Sequence, residues 1–279
     1  MSKIGLIAGG GRLPLEVLSG ATDIGIPVFV ARLQGFAKAS DFGDDTTEFG
    51  LAAFGALIKA LRTENCSHVC FAGTVSRPDF RALKPDAGAL KRLPGAIKAA
   101  AKGDDALLSY IIGEIESEGF EVIAPQALCE SALMSEGALG KLKPKKRHQA
   151  DIDKAMSVAK SIGAMDIGQG AVVCNGLVLA VEAAEGTDAM LERVADLHPD
   201  IRGTDKSRAG ILAKSLKPQQ EVRIDLPTIG VDTIEYAARA GLAGIALVSD
   251  KAFVLNKDAV INAADRYGLF VFGLPSTKS

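Results

Sequence analysis

Apolar and polar positions along the first 125 residues follow a pattern of short strands and amphipathic helices. Short apolar runs indicate buried strands, and apolar residues that recur every three or four positions indicate helices. Strands are predicted at 4–8, 28–31, 46–50, 68–72 and 121–123, and helices at 13–24, 54–61, 83–101 and 104–115. Strands that alternate with helices in this way predict a parallel, Rossmann-like sheet.

The pattern changes in the second half of the chain, which contains a hairpin signal. Asn175-Gly176 separates the apolar runs 171–174 and 177–181, and Asn-Gly favours a type I′ turn. Helices are predicted at 152–162, 189–195, 233–240 and 257–267, and strands at 211–213, 244–248 and 269–272. We therefore expect an α/β protein of two domains. The boundaries are a Rossmann-like N-terminal domain at 1–135, a solvated linker at 136–148 and a smaller mixed α/β catalytic domain at 149–279.

Composition and charge exclude several classes of protein. The 279 residues carry a net charge of −2, and a nucleic-acid-binding protein usually has a strong basic excess. No apolar run approaches the roughly 18 residues that a membrane-spanning helix needs, and the N-terminal run is too short for a signal peptide. We expect a cytoplasmic protein without a nucleic-acid partner.

Three residues on one predicted strand have the alternation of a metal site. Cys66, His68 and Cys70 would share a face of the strand, but no fourth zinc ligand stands nearby. Two buried thiols beside a hydrogen-bonded histidine are the favoured interpretation.

A glycine-rich turn after the first strand is the first candidate for ligand binding. Backbone N–H groups at such a turn, together with the following helix dipole, bind anions. Gly10, Gly11 and Arg12 are the candidate residues. Pro14 replaces the third glycine of the dinucleotide motif, and Arg32 stands where a ribose-binding carboxylate is expected. A phosphate-binding turn is therefore favoured over a turn without a ligand, and an NAD(P)-linked oxidoreductase stays as an alternative.

A second loop, after the strand at 68–72, is expected on the same edge of the sheet. In open parallel sheets ligands bind at the carboxyl ends of the strands. Thr74 and Arg77 follow this strand and could bind phosphate or sugar hydroxyls. The alternative is a polar loop whose arginine is satisfied within the protein.

Residues of both charges are concentrated between 182 and 225. Glu221, Arg223 and Asp225 alternate between flanking prolines, so an extended chain projects all three to one side. Two carboxylates around an arginine suit a Mg²⁺–phosphate site, whereas a surface ion pair is the alternative. The histidines are isolated, which favours a metal-activated water over histidine acid–base catalysis.

Five segments together resemble one known family. They are GLIAGGGRLP at 5–14, GDDALL at 103–108, DIGQG at 166–170, VLAVEAAEGTD at 178–188 and KPQQEVRIDLPTIG at 217–230. The chain resembles the Mg²⁺-dependent UDP-2,3-diacylglucosamine pyrophosphatases of the lipid A pathway, in the branch unrelated to calcineurin-like phosphoesterases. The resemblance implies hydrolysis of UDP-2,3-diacylglucosamine to UMP and 2,3-diacylglucosamine 1-phosphate (lipid X).

The resemblance also implies that Asp225 is the catalytic carboxylate, acting through Mg²⁺. On this basis we predict Asp188 as a second metal ligand and Glu221 and Arg223 as further catalytic residues. The expected substrate-binding residues are Gly10, Gly11, Arg12, Thr74, Arg77, Asp104, Asp105, Gln169, Gly170, Thr187, Asp188, Lys206, Lys217 and Gln219.

The substrate implies further properties of the protein. Two acyl chains need an apolar cavity lined by aliphatic side chains, because each buried CH₂ contributes about 0.8 kcal/mol. A soluble enzyme that collects a membrane lipid is expected to be peripheral to the inner membrane and to contact its surface transiently. A homodimer is a further expectation, and a non-catalytic protein that binds a lipid or a nucleotide is the remaining alternative.

Overall fold

The computed structural model describes residues 3–76, 79–217 and 226–276. Within these ranges the chain divides into two compact units, one containing the described residues up to Ser131 and the other those from Ala132 onward. Both units combine strands and helices, so the prediction of a two-domain α/β protein is confirmed.

The first unit is a parallel sheet with helical crossovers. Its elements are β1 (Ile4–Ala8), α1 (Leu13–Asp23), β2 (Val28–Leu33), α2 (Ala39–Phe42), β3 (Thr46–Phe49), α3 (Phe54–Thr63), β4 (His68–Ala72), α4 (Ala87–Ala100), α5 (Asp104–Ser117) and β5 (Glu121–Ile123). The strand order is β3-β2-β1-β4-β5, and every pairing among the described residues of this sheet is parallel. The sheet changes direction of growth between β1 and β4, which is the position where open α/β sheets bind ligands.

Helix α4 begins four residues later than the sequence predicts, because Asp86 caps it. The Asp86 carboxylate accepts hydrogen bonds from the backbone N–H of Ala89 at 2.8 Å and from that of Ala56 at 2.9 Å. One side chain therefore satisfies backbone donors in the first turns of both α3 and α4. These two helices frame the cavity described below.

The second unit is a mixed sheet with helices. Its elements are β6 (Gly137–Leu139), α6 (Gln149–Ala164), β7 (Gly170–Cys174), β8 (Leu177–Val181), α7 (Gly186–Ala195), β9 (Ile211–Lys214), β10 (Thr228–Ile229), α8 (Val231–Arg239), β11 (Gly244–Val248), β12 (Phe253–Val254), α9 (Lys257–Tyr267) and β13 (Phe270–Leu274). The larger sheet has the order β6-β13-β11-β9-β7-β8, and β10 pairs with β12. Its core consists of aliphatic side chains, Leu212, Ile234 and Leu247 among them.

Two expectations about this unit are corrected. It was expected to be the smaller domain, but among the described residues its main sheet has six strands against five in the first unit. The predicted linker at 136–148 contains strand β6, which pairs antiparallel with β13. Because β6 completes an edge of the sheet, this segment belongs to the second unit.

The predicted hairpin is confirmed. Asn175 and Gly176 both have positive φ, at 50° and 78°, as a type I′ turn requires. The buried carboxylate of Asp151 accepts hydrogen bonds from both of their backbone N–H groups, at 2.8 and 2.7 Å. This contact fixes the hairpin to the start of α6.

None of the helices in the described ranges combines the length and apolar character that crossing a membrane requires.

Candidate functional site

The glycine turn after β1 and the loop after β4 meet at one edge of the first sheet. Gly10 and Thr74 exchange two backbone hydrogen bonds, at 2.8 and 2.9 Å. The prediction that these loops lie together is therefore confirmed. Arg77, the other candidate in the second loop, lies outside the described residues.

Crowding at two positions and backbone conformation at a third account for the glycines of this turn. A Cβ at position 9 or 10 would crowd Thr74, and Gly11 has φ +80°, a conformation that side chains disfavour. Arg12 is exposed, and its Nε donates to Glu16 at 3.1 Å. A phosphate contact by Gly10, Gly11, Arg12 and Thr74 stays a prediction.

Arg32 occupies the end of β2, where dinucleotide-binding sheets carry an acid. Its buried guanidinium donates to the Thr46 hydroxyl at 2.8 Å, to the Ala37 carbonyl at 3.3 Å and to the Glu48 carboxylate at 3.2 Å. A positively charged group held in this way provides no acceptor for a ribose hydroxyl. The arrangement weighs against the NAD(P)-linked alternative.

An apolar cavity of about 240 Å³ lies within the first unit. Helices α3, α4 and α5 and the loop after β4 enclose it. The side chains that line it include Phe54, Phe80, Leu83, Leu93, Ala96, Leu107, Leu108 and Ile111. Such a lining suits a hydrocarbon ligand.

Charged residues border this cavity on one side. Asp104, in the first turn of α5, is among its lining residues, and Asp105 follows it. Arg92 and Glu114 also line it and form an ion pair at 2.7 Å. The two aspartates stand where acids stabilise a helix N-terminus, as predicted; their substrate contact stays a prediction.

The second unit holds a group of connected polar side chains that we name the Lys214 cluster, consisting of Glu182, Thr187 and Lys214. Lys214 ends β9, Glu182 follows β8, and Thr187 lies in the first turn of α7. The exposed fraction is 5% for the Lys214 side chain and 8% for that of Glu182. Charged side chains are rarely so buried unless they are paired.

Hydrogen bonds connect the cluster through the Thr187 hydroxyl. Lys214 Nζ donates to this hydroxyl at 2.6 Å and to the Thr228 carbonyl at 3.2 Å. The hydroxyl in turn donates to Glu182 Oε1 at 3.0 Å. The N-cap residue of α7 is Glu185 rather than Thr187. Thr187 instead connects a buried ammonium to a buried carboxylate.

One buried oxygen atom of the cluster, Glu182 Oε2, has no hydrogen-bond partner in the described part of the chain. The buried Gln169 Oε1, directly before strand β7, has no partner there either. Lys214 Nζ is 4.0 Å from Glu182 Oε2, which is beyond hydrogen-bond distance. Buried polar atoms are nearly always paired, so this arrangement can accept a donor group or a cation.

Asp188 adds a further carboxyl group whose ionisation is perturbed. Burial raises the pKa of the Asp188 carboxyl, and the negative charge of Asp232 raises it further, while Lys214 opposes the shift. A pKa raised by burial is common at functional sites. A bound cation would favour the ionised form.

The described residues offer the kind of donor atom that Mg²⁺ prefers, but they do not form a complete metal site. Hard oxygen atoms are the ligands that Mg²⁺ prefers, and Glu182 Oε2 and Gln169 Oε1 are such atoms without partners. Within the described ranges, no three His, Cys, Asp or Glu side chains are arranged to hold a metal ion. Asp225, the main predicted ligand, lies outside these ranges.

The structure separates the remaining predicted residues into three groups. Gly170 lies against Glu182, since a Cβ at position 170 would collide with Glu182 Oε2. Lys217 donates to Asp166 at 2.8 Å. Gln219, Glu221, Arg223 and Asp225 lie outside the described residues.

Lys206 is exposed on the loop before β9, whereas Lys214 ends that strand. A strand of this length separates its two ends by about 10 Å. The neighbouring Arg208 donates to the Ala238 carbonyl at 3.0 Å, which ties this loop to the end of α8. A substrate contact by Lys206 stays a prediction.

Sequence reasoning did not select Glu182 and Lys214 as site residues. The sequence does contain an indication of both, because each is a charged residue directly after an apolar run that predicts a strand. Their partners come from β10 and α7, and no local pattern predicts that proximity.

The alternation at Cys66, His68 and Cys70 does not correspond to a zinc site in the described residues. Burial raises the pKa of the Cys66 thiol to about 11 and that of the Cys70 thiol further, which favours the protonated thiols over zinc-binding thiolates. His68 Nδ1 lies 2.6 Å from the Ser67 hydroxyl, and Nε2 is 3.3 Å from Glu121. The favoured interpretation of buried thiols and a paired histidine is confirmed.

Comparison with known proteins covers nearly the whole chain. The family model described as the LpxI N-terminal domain matches residues 3–132, and the one described as the LpxI C-terminal domain matches residues 135–272. A relative from Caulobacter vibrioides, the UDP-2,3-diacylglucosamine pyrophosphatase LpxI, is 56% identical over 274 residues, which is 98% of each chain.

Two solved structures are more distantly similar. CobK precorrin-6A reductase is 11% identical with a TM-score of 0.34, covering 100% of this chain and 89% of that one. UDP-glucose 4-epimerase from Thermus thermophilus, in complex with NAD, is 13% identical with a TM-score of 0.31, covering 98% and 86%. These TM-scores are too low to support an argument.

Proposed function

Because the chain belongs to the LpxI family, we propose that it hydrolyses UDP-2,3-diacylglucosamine to UMP and lipid X. The observation that carries this proposal is the 56% identity to a pyrophosphatase of that name over 98% of both chains. In the reaction, water adds its oxygen to phosphorus and the P–O bond of the anhydride breaks. Each unit contains a feature that suits one part of this substrate.

The apolar cavity of the first unit suits the acyl chains. Its lining is mostly aliphatic and aromatic, and each CH₂ group transferred into such a site contributes about 0.8 kcal/mol. A nucleotide or a free sugar would gain little there. The cavity therefore favours a lipid substrate over a purely polar one.

The Lys214 cluster suits the pyrophosphate. Lys214 holds a positive charge among buried groups, where the lower local dielectric strengthens its attraction for a phosphate. Positive charge stabilises the negative oxygen atoms that develop as phosphoryl transfer proceeds. In this proposal Lys214 joins the predicted substrate-binding residues Lys206 and Lys217, and Arg223 keeps its predicted catalytic role.

Mg²⁺ belongs to the proposal as the expected cofactor. When bound, it would lower the pKa of a bound water and neutralise phosphate oxygens. Asp225 and Asp188 are the proposed ligands, with Glu221 nearby in sequence and Glu182 Oε2 as a further donor. The Thr187 hydroxyl, which accepts from Lys214 and donates to Glu182 Oε1, would hold this carboxylate so that Oε2 stays available to the metal ion.

The proposal is tested by measuring UMP and lipid X after incubation with UDP-2,3-diacylglucosamine. The native chain should release both in equal amounts, and EDTA should stop the reaction. Asp225→Ala should abolish turnover while the protein still binds the substrate. Asp200→Ala, which removes an exposed aspartate, is the matched control and should retain full activity. Full activity of Asp225→Ala, or in EDTA, would contradict the proposed roles of Asp225 and Mg²⁺.

A further inference from the structure

Helix α4 exposes an apolar stripe to solvent. Leu90 is 60% exposed and Ile97 is 47% exposed, and Pro94 between them is exposed as well. Their spacing of four and three residues places them on one face of the helix. Large aliphatic side chains grouped in this way are a feature of interaction surfaces.

A row of lysines lies next to this stripe. Lys91 and Lys98 are exposed and seven residues apart, so they project side by side from α4. Lys84 precedes the helix and Lys102 follows it, and both are exposed. No aspartate or glutamate occurs between Ala87 and Lys102. None of these four lysines forms an ion pair with a carboxylate of the described residues.

A neighbouring face of the same helix lines the apolar cavity. Ala89, Leu93 and Ala96 line it, together with Arg92. Helix α4 thus contributes one face to the cavity and exposes another, with the stripe and its lysines, to solvent.

We propose that the outer face of α4, formed by Leu90, Lys91, Pro94, Ile97 and Lys98, docks onto the surface of an anionic lipid membrane. Apolar side chains bordered by lysines are the pattern of helices that lie in a membrane interface. The lysines complement anionic headgroups, and the row carries no carboxylate that would be repelled. This inference rests on the proposed function in one respect, since docking on a membrane would bring the chain to a lipid substrate located there.

Vesicle co-sedimentation tests the proposal with the full-length chain. The vesicles contain phosphatidylglycerol and phosphatidylcholine in equal parts, and phosphatidylcholine vesicles serve for comparison. Each lysine near an anionic surface contributes about 1 kcal/mol, so Lys91→Glu with Lys98→Glu should weaken binding by about thirty-fold or more. Leu90→Ser with Ile97→Ser should also weaken binding. Higher salt should reduce binding of the native chain, because salt screens surface charges.

Matched controls change equally exposed residues elsewhere. Lys38→Glu with Lys160→Glu alters the charge by the same amount, and Ile24→Ser with Met165→Ser removes exposed apolar side chains. Both control pairs should bind the anionic vesicles as the native chain does. Equal binding by the α4 variants and the native chain would overturn the proposal. An altered oligomeric state of the α4 variants with unchanged vesicle binding would also overturn it, and would assign this face to a second copy of the chain.

A second readout separates docking from the proposed reaction. With substrate dispersed in detergent micelles, the α4 variants should release UMP at the native rate. With substrate embedded in anionic vesicles, their rate should fall along with vesicle binding. Loss of activity in micelles would contradict a role confined to docking, whereas a native chain that binds anionic vesicles without releasing UMP would refute the proposed function and leave docking supported.

Discussion

Replacing Lys214 with Met tests whether the Lys214 cluster is a true buried charge pair. The change removes the ammonium and retains an apolar stem, so Glu182 is left as a buried carboxylate whose Oε1 accepts from Thr187. Both side chains are more than nine-tenths buried, and Lys214 Nζ is 4.0 Å from Glu182 Oε2. Removing one partner of a buried pair typically costs about 3–5 kcal/mol. We expect a loss of this size in the free energy of unfolding of the second unit.

Urea unfolding followed by circular dichroism measures this loss, because the chain contains no tryptophan for fluorescence. Two compact units require a fit with two transitions. Lys141→Met is the matched control: its side chain is 85% exposed, 3.9 Å from Asp265, and such a pair contributes about 1 kcal/mol or less. The double variant Lys214→Met with Glu182→Gln should be more stable than Lys214→Met alone, since the uncompensated charge is gone. A cost under about 1 kcal/mol for Lys214→Met would refute the buried pair, as would a double variant no more stable than the single one.

Three further predictions follow from individual contacts. Asp86→Ala should lower the stability of the first unit by about 1–2 kcal/mol in urea unfolding, since it removes a helix cap. Burial raises the pKa of the Asp86 carboxyl, but hydrogen bonds from the backbone of Ala89 and Ala56 lower it overall. The ionised carboxylate therefore stabilises the fold fully above the unfolded pKa of about 3.9. The difference in free energy of unfolding between the native chain and the variant should shrink as the pH falls through the lower folded pKa. Gly176→Ala should lower the free energy of unfolding by about 1–2 kcal/mol, because a φ of +78° is unfavourable for alanine. The added Cβ meets no atom within 4 Å, so the backbone conformation alone causes the loss. An unchanged free energy of unfolding would contradict the I′ turn. Ala96→Phe should fill the cavity and raise KM for the diacylated substrate about tenfold, corresponding to roughly 1.4 kcal/mol. Hydrolysis of an analogue without acyl chains should be unchanged. Equal KM values of the variant and the native chain for the diacylated substrate would place the acyl chains elsewhere.

Local patterns predict most of the fold. Strands β1, β2 and β4 are largely apolar runs, and their burial in a parallel sheet follows from this pattern and from the helices between them. The Asn175-Gly176 turn was predictable because only a few residue pairs favour two positive φ angles. The late start of α4 was not predicted, since the Asp86 cap depends on α3 as well as on its own helix.

The candidate site was predictable only in part. Gln169, Thr187 and Asp188 lie in segments that resemble a known family, and the structure places Thr187 between Lys214 and Glu182, with Asp188 close enough for the Lys214 charge to oppose the rise in its pKa. The position of Lys214 depends on β10 and α7, which are distant in sequence. Lys206 has the same charge and lies on the loop before β9, and its substrate contact stays a prediction. Residue type alone does not show which lysine of this segment is buried; its position on the strand does.

Release of UMP and lipid X from UDP-2,3-diacylglucosamine, followed by mass spectrometry, tests the central claim most directly. Purified native chain with Mg²⁺ should release the two products in equal amounts, and the Asp225→Ala variant, mixed with the same substrate, should release neither. If the native chain releases no more UMP than that variant does, it is not a UDP-2,3-diacylglucosamine pyrophosphatase.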